Sequence, residues 1–362
     1  MVKDCRNKLK ELKLCSFFVK IFIFIGILLI GVSSIYAETA EEYYDHGLVY
    51  ARQGDFTRAI FDFTKAIEIN SNFAEAYNNR GLSYDKQGNF IQAISDLTKA
   101  IEINPNFAYA YNNRGLICNK HGSNFAQTVL DCTKAIEINP SYAEAYCNRG
   151  VAHINQNDII QAISDLTKSI EIDPRYAEAY NNRGLAYRAQ GDLSQAIFDF
   201  TKAIEIDDNN VDAYYNRGST YFYQGNLSQA ISDFTRSIEI NPNYAEGYCN
   251  RGAVYLKQNN LSQAESDFTK AIEIDHRFAE AYNNRGFVYK GQNNLTQAIS
   301  DFTKAIEINP KFVEAYFNRG NIYYITKEYD KSWADVHKVE QLGYNIKPVF
   351  IELLKKASNG DA

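Results

Sequence analysis

The sequence predicts an all-α solenoid of stacked helical hairpins. Three observations predict it: the chain repeats itself about every 34 residues, each repeat holds two stretches of helical periodicity, and turn-forming residues punctuate those stretches at fixed places. The phrase YNNRG at 77–81 returns at 111–115, 180–184 and 282–286. YCNRG at 146 and 248, YYNRG at 214 and YFNRG at 316 fill the gaps. Repeats begin at Ala40, Ala74, Ala108, Ala143, Ala177, Val211, Ala245, Ala279 and Val313, and one step is longer because Ser123 is inserted. Nine units thus cover 40–346, and positions below are counted from 1 within a unit.

The chain opens on a separate segment, 1–37. Lys3, Arg6, Lys8, Lys10, Lys13 and Lys20 outnumber Asp4 and Glu11 there, and the apolar run IFIFIGILLIGV at 21–32 leads to SSIYA, ending at Ala37. A basic flank, a short apolar run and a small residue read as a secretory signal peptide cleaved after Ala37. The run is short of the ~20 apolar residues that span a bilayer, and the alternative is an uncleaved membrane anchor over 17–35. The protein is therefore expected to be exported, to the periplasm or beyond the cell, and to meet a membrane only through this segment if it is retained.

Each unit starts with a helix. Positions 4, 8 and 11, as in Tyr77, Gly81 and Tyr84, recur on one helical face. Glycine at position 8 occurs in all nine units, from Gly47 to Gly320. It costs a helix about 1 kcal/mol relative to alanine, so close approach by another helix is expected, with the small residue at position 20, such as Ala93 or Ala196, as its partner. Position 15 ends the helix: Gly54, Gly88, Gly122, Gly191 and Gly225, or Asn157, Asn259 and Asn293, residues that tolerate the left-handed conformation. The second helix repeats AIxDFTKAIEI with an apolar face at positions 20, 24 and 27. Proline at position 32 (Pro105, Pro140, Pro174, Pro242, Pro310) stops the chain from continuing as helix. Pro348 opens a last helix, VFIELLKKA, expected with the tail at 347–362 to cap the stack.

These slots, an aromatic at 4, Gly at 8, Tyr at 11, Ala at 20, Phe at 24, Ala at 27 and Pro at 32, resemble the tetratricopeptide repeat. The resemblance covers 40–346. It implies a right-handed superhelical solenoid of antiparallel hairpins with an inner groove, and a binding scaffold for a protein or peptide partner. Units 3 and 9 depart most, with Cys118 and Cys132 in the former and Ser332, Trp333, Val336 and Val339 in the latter.

Position 7 is arginine and position 23 is aspartate, the aspartate in every unit from Asp62 to Asp335. Antiparallel packing brings the two level on one side, so ion pairs are expected within units, among them Arg80–Asp96, Arg183–Asp199 and Arg285–Asp301. An arginine row holding an acidic ligand is the functional alternative. Position 6 lies opposite the core stripe and is asparagine in eight units: Asn79, Asn113, Asn148, Asn182, Asn216, Asn250, Asn284 and Asn318. An amide both donates and accepts. The family resemblance implies that this row lines the groove and holds peptide backbone; the alternative is bonding between neighbouring asparagines with no ligand. Tyr215, Phe222 and Tyr223 cluster in unit 6 as a candidate aromatic anchor, and Phe317 and Tyr324 do so in unit 9. Position 2 is acidic in most units, which suits either a groove contact or a helix first turn.

The net charge is −6. With +4 on the first 37 residues the rest carries −10, a poor match to nucleic acid, which needs clustered Lys and Arg. His46, His121, His153, His276 and His337 occupy unrelated slots, and no CxxC, HExxH, GxSxG or phosphate-binding glycine loop is present. No enzyme, cofactor or metal is expected. Of the cysteines beyond Ala37, Cys118 and Cys132 lie about 10 Å apart along the axis, too far for a bridge, and Cys132 with Cys147 stays open. A second class of function, association through the outer face with no groove ligand, is kept beside the first.

Overall fold

In the computed structural model, residues 38–122 and 124–358 are described, and the expected signal segment lies outside them. The described residues hold 19 α-helices and no strand. They form nine hairpins and one closing helix: α1 (Ala40–Arg52) with α2 (Phe56–Ile69), α3 (Ala74–Lys86) with α4 (Phe90–Ile103), α5 (Ala108–Lys120) with α6 (Phe125–Ile138), α7 (Ala143–Asn155) with α8 (Ile159–Ile172), and α9 (Ala177–Gln190) with α10 (Leu193–Ile206). The series continues with α11 (Val211–Gln224) and α12 (Leu227–Ile240), α13 (Ala245–Lys257) and α14 (Leu261–Ile274), α15 (Ala279–Gly291) and α16 (Leu295–Ile308), and α17 (Val313–Ile325) and α18 (Tyr329–Gln341). Helix α19 (Pro348–Ser358) closes it. The chain divides into two compact units, one up to Asn148 and one from Arg149 on.

Local chemistry accounts for the hairpin ends. Position 15 takes positive φ throughout, from Gly54 at 79° to Asn293 at 61°. In the ninth hairpin the residue there is Lys327, at φ 63°, a conformation that costs a residue with a Cβ about 1–2 kcal/mol. Each second helix except the ninth hairpin's stops at an Asn or Asp whose side chain accepts the N–H two residues on, as Asn104 does from Asn106 and Asp173 from Arg175. This local turn competes with further helix, and in five units a proline follows it.

Glycine at position 8 does sit under a close neighbour, but the sequence-based partner needs correcting. A Cβ on Gly184 would stand 2.7 Å from Phe200 Cε1, and one on Gly286 2.8 Å from Phe302 Cε1. The ring at position 24 leans over the glycine, and the position-20 residue contributes its backbone carbonyl, as Ala93 does 3.0 Å from the place of a Gly81 Cβ. Where position 20 is not alanine it is a hydroxyl residue that donates to the facing carbonyl: Thr128 Oγ1 to Gly115 O at 3.0 Å and Ser332 Oγ to Gly320 O at 2.8 Å.

The first helix buries a second stripe that the sequence reading passed over. Positions 3 and 10 pack on the second helix of the preceding hairpin. Ala110 and Ile117 join Ala93, Leu97 and Ala100, Val254 joins Ala230 and Phe234, and Ile322 joins Ala298 and Phe302. Each buried Phe or Leu contributes about 1.5–3 kcal/mol, so the core is a chain of small clusters between hairpins. The tyrosines at positions 4 and 11 are only half-buried. They flank the arginine between them, with Arg183 Cζ 5.7 Å from the Tyr180 ring and 5.9 Å from the Tyr187 ring. The structure carries Cys118, Cys132, Cys147 and Cys249 as buried thiols.

The ion pairs are bidentate. Arg80 donates from Nε and Nη2 to Asp96 at 2.7 and 2.8 Å, Arg183 to Asp199 at 2.8 Å twice, and Arg285 to Asp301 at 2.8 and 2.9 Å. The third guanidinium nitrogen reaches backward: Arg183 Nη1 donates to Thr167 at 3.1 Å and Arg285 Nη1 to Thr269 at 3.2 Å, both in the preceding hairpin. Desolvation alone would lower the arginine pKa, but the bonds to Asp199 and its charge outweigh it and hold Arg183 above its ordinary value. In the first hairpin position 7 is His46, which faces Glu38 at 3.8 Å, and burial raises the Asp62 carboxyl.

The Asp199 side chain is fully buried. Arg183→Met therefore strands a carboxylate and is expected to cost about 3–5 kcal/mol, read as lost amide-exchange protection in α9 and α10. Adding Asp199→Leu should recover much of the loss. Additive effects of the two changes would show that the pair does not couple.

Candidate functional site

Along successive first helices position 6 carries the constant asparagine, beside the variable positions 9, 12 and 13. Of the two expectations for its asparagines, bonding between neighbouring asparagines is the one the structure shows, at Asn113, Asn148, Asn216 and Asn318. Asn148, Asn216 and Asn318 are buried, and Asn79, Asn113, Asn182, Asn250 and Asn284 are half-buried. The reason is that position 6 faces position 5 of the preceding hairpin. Asn113 Nδ2 donates to Asn78 Oδ1 at 3.0 Å, Asn148 to Asn112 at 2.9 Å, Asn216 to Asn181 at 3.1 Å and Asn318 to Asn283 at 3.1 Å. Where position 5 is tyrosine the phenol oxygen accepts instead, from Asn79 at Tyr44 (2.8 Å) and from Asn250 at Tyr215 (2.7 Å). Asn284 reaches Cys249 Sγ at 3.9 Å, and burial pushes that thiol up to about 12. The amides thus form a seam between hairpins, with one N–H of each bonded pair engaged there.

The aromatic cluster of the sixth hairpin lines an open cleft of about 980 Å³ in the second unit. One wall carries Tyr215, Phe222 and Tyr223 of α11, and the facing wall carries Leu185 and Arg188 of α9, with Ile154 of α7 beyond. Asn250 belongs to the lining as well, while Asn182 and Asn216 do not. Tyr215 is fixed by its bond from Asn250 and by edge contact with Tyr244 at 5.2 Å. Burial holds its phenol above the usual tyrosine range. Lys257 Nζ lies 5.0 Å from the centre of the Phe222 ring. Tyr223 is 76% exposed, which gives the cleft an uncovered aromatic lip.

In the ninth hairpin the aromatic residues are engaged by the chain itself. Phe350 of α19 meets Phe317 at 5.9 Å and Tyr324 at 5.7 Å, both edge-on. A smaller cleft of about 580 Å³ remains beside them, lined by Leu256, Phe287, Val313 and Phe317 and flanked by 344–347. Helix α19 thus covers Tyr324 and one edge of Phe317, while Phe317 also lines this smaller cleft.

The tetratricopeptide repeat profile matches 74–107, 143–176, 177–210, 211–244, 245–278 and 279–312. The chain belongs to the tetratricopeptide repeat family. Further profiles of the same repeat match 47–88 and 302–334. Among solved structures, the Cut9 and Hcn1 hetero-tetramer of APC/C is similar over 88% of this chain and 76% of that one, at 16% identity and a TM-score of 0.58. PilF of Pseudomonas aeruginosa is similar over 55% and 91%, at 17% identity and 0.51. YrrB, described as a TPR protein with an unusual peptide-binding site, is similar over 51% and 95%, at 29% identity and 0.43. No curated protein matches the chain. The tetratricopeptide fold makes this protein a scaffold for protein–protein interaction.

Sequence reasoning missed two recurring contributors. Threonine at position 25 looked like filler in FTKAIEI, yet it accepts from the next hairpin's arginine. Position 12 was not singled out because it changes from unit to unit, with Ile154, Arg188 and Phe222 in succession. That variability on a repeat whose other slots hardly change was the available signal. Asn216→Ala removes the donor to Asn181 and is expected to cost about 1–3 kcal/mol. An unaltered melting curve would show that the seam is not structural.

Proposed function

We propose that this tetratricopeptide scaffold holds an extended peptide segment of a partner protein along the face formed by its first helices, and that the cleft at Tyr215, Phe222 and Tyr223 is the anchor. The observation that carries the reading is that cleft. It is concave, of the volume usual for ligand sites, built on helices rather than loops, and walled by aromatic residues, the side chains most enriched in binding hot spots. The seam asparagines support it in a secondary way, since the half-buried ones keep amide functions beyond the bond between hairpins.

Outer-face association has its own observation, namely the exposed apolar residues Phe61, Leu130 and Phe198 on second helices. Lys65 and Lys202 lie 5.8 Å over the rings of Phe61 and Phe198. Charge so placed blunts an apolar surface, which favours the groove.

The test is selection of peptides from a random display library on the purified chain. Phe222→Ala with Tyr223→Ser is expected to weaken the selected peptides at least tenfold, equivalent to about 1.4 kcal/mol, whereas Phe198→Ser leaves them unchanged. The reverse pattern would move the binding site to the outer face.

We also propose export, supported by the basic and apolar character of residues 3–32 and by Thr39, which caps α1 just beyond Ala37 and pairs with Glu42 in a capping box. Sequencing the mature protein should find Glu38 first. An N-terminus within 1–20 would mean retention of the segment.

A further inference from the structure

We propose that the cleft beside Tyr215 and Phe222 recognises a carboxylate, that of an Asp or Glu side chain next to a bulky apolar residue in the bound peptide, with Arg188 as its counter-ion. The inference rests on the groove reading above and names the chemistry of the occupant.

Arg188 differs from the arginines of the repeat. Eight position-7 arginines pair with an aspartate of the same hairpin. Arg188 stands at position 12, is half-buried, lines the cleft and forms no ion pair with a described residue. Its electrostatic neighbours are the phenols of Tyr223 and Tyr215, and desolvation moves its pKa down, the opposite direction from the paired arginines. A guanidinium stays charged in proteins, so withdrawing it from water without a counter-charge leaves an unfavourable term that a ligand anion would remove. A second polar group lines the facing wall on α11: Ser219 Oγ is buried and has no hydrogen-bond partner among the described residues. The remaining lining at Ile154, Leu185 and Phe222 is apolar, which sets a hydrophobic side chain next to the charge.

The wider charge pattern narrows the ligand. A chain of net charge −6 does not attract polyanions over a distance, so one arginine in an apolar recess selects a single carboxylate rather than nucleic acid. The cleft is open along the row of helices from α7 to α13, so a peptide passes through it. That geometry favours a side-chain carboxylate over a chain terminus.

The experiment uses the purified chain and synthetic decapeptides with a central Glu-Phe or Asp-Leu, their Gln-Phe and Asn-Leu counterparts, and versions with amidated ends. Acidic peptides are expected to bind roughly ten- to hundredfold tighter than the amide counterparts, the worth of one charge-assisted hydrogen bond. Amidation of the terminus should not matter. Arg188→Gln should abolish the discrimination, and Arg188→Lys should retain part of it. Unchanged helix content by circular dichroism in both variants excludes misfolding. Peptides that need Phe222 and Tyr223 but show no Glu-over-Gln preference, or keep it in Arg188→Gln, would overturn the carboxylate assignment alone. Preference lost on amidation would overturn the side-chain choice. Decapeptides that bind equally to wild type and to the Phe222→Ala, Tyr223→Ser variant would overturn the groove reading itself.

Discussion

The interaction on which the stack depends is a guanidinium held at three places. Each position-7 arginine is gripped by two aspartate oxygens from its own hairpin, and Arg183 and Arg319, like most of the others, donate a third bond to the threonine of the hairpin before. The first two bonds set how the helices of a hairpin lie level with each other; the third sets how one hairpin seats on its predecessor. Tyrosines on either side exclude water from the group and add cation–π attraction. Removing such a charge from solvent is costly, and the bracket is favourable because Nε, Nη1 and Nη2 each find an acceptor. That requirement couples three side chains on two hairpins.

From that constraint follows a division of labour along the unit. Positions 7, 8, 23 and 25 are tied to one another and recur with few exceptions, while position 24 is Phe, Leu, Cys or Val. Glycine at position 8 makes room for the side chain at position 24, as a Cβ on Gly184 would stand 2.7 Å from Phe200 Cε1. Positions 5, 9, 12 and 13 take no part in it. They are free to differ, and they hold Tyr215, Ser219, Phe222 and Tyr223 in one hairpin and Leu185 and Arg188 in the one before. Recognition chemistry has collected on the slots that the scaffold leaves unconstrained.

The same division explains what could be read in advance. The hairpins, their turns and the Arg–Asp register were legible because each depends on chemistry local to a unit and repeats nine times. The seam was misjudged because a single-helix projection places position 6 opposite the core and says nothing of the next hairpin, where Asn112 or Tyr215 waits to accept. Stripe 3–10 was passed over for the same reason. It is a contact between units, and its residues, Ser83, Ile117, Ala152 and Thr220 among them, share burial rather than type. The aromatic cluster in unit 6 was visible as composition, but its arginine was not, since one cation at a variable slot carries no periodic signal.

Arg183 and Arg188 are five residues apart on one helix, and the contrast between them is a contrast of surroundings. Arg183 meets a carboxylate, a hydroxyl and two rings, and its charge is stabilised beyond what water offers. Arg188 has the phenols of Tyr223 and Tyr215 as electrostatic neighbours and no ion pair with a described residue, and desolvation moves its pKa down. A neutral side chain of equal length would sit in that cleft with less unfavourable free energy, so stability does not account for the arginine. A group that disfavours the empty state and has room in front of it is what differential binding requires. The free energy withheld from folding becomes available when an anion arrives, and the cleft then discriminates by charge as well as by shape.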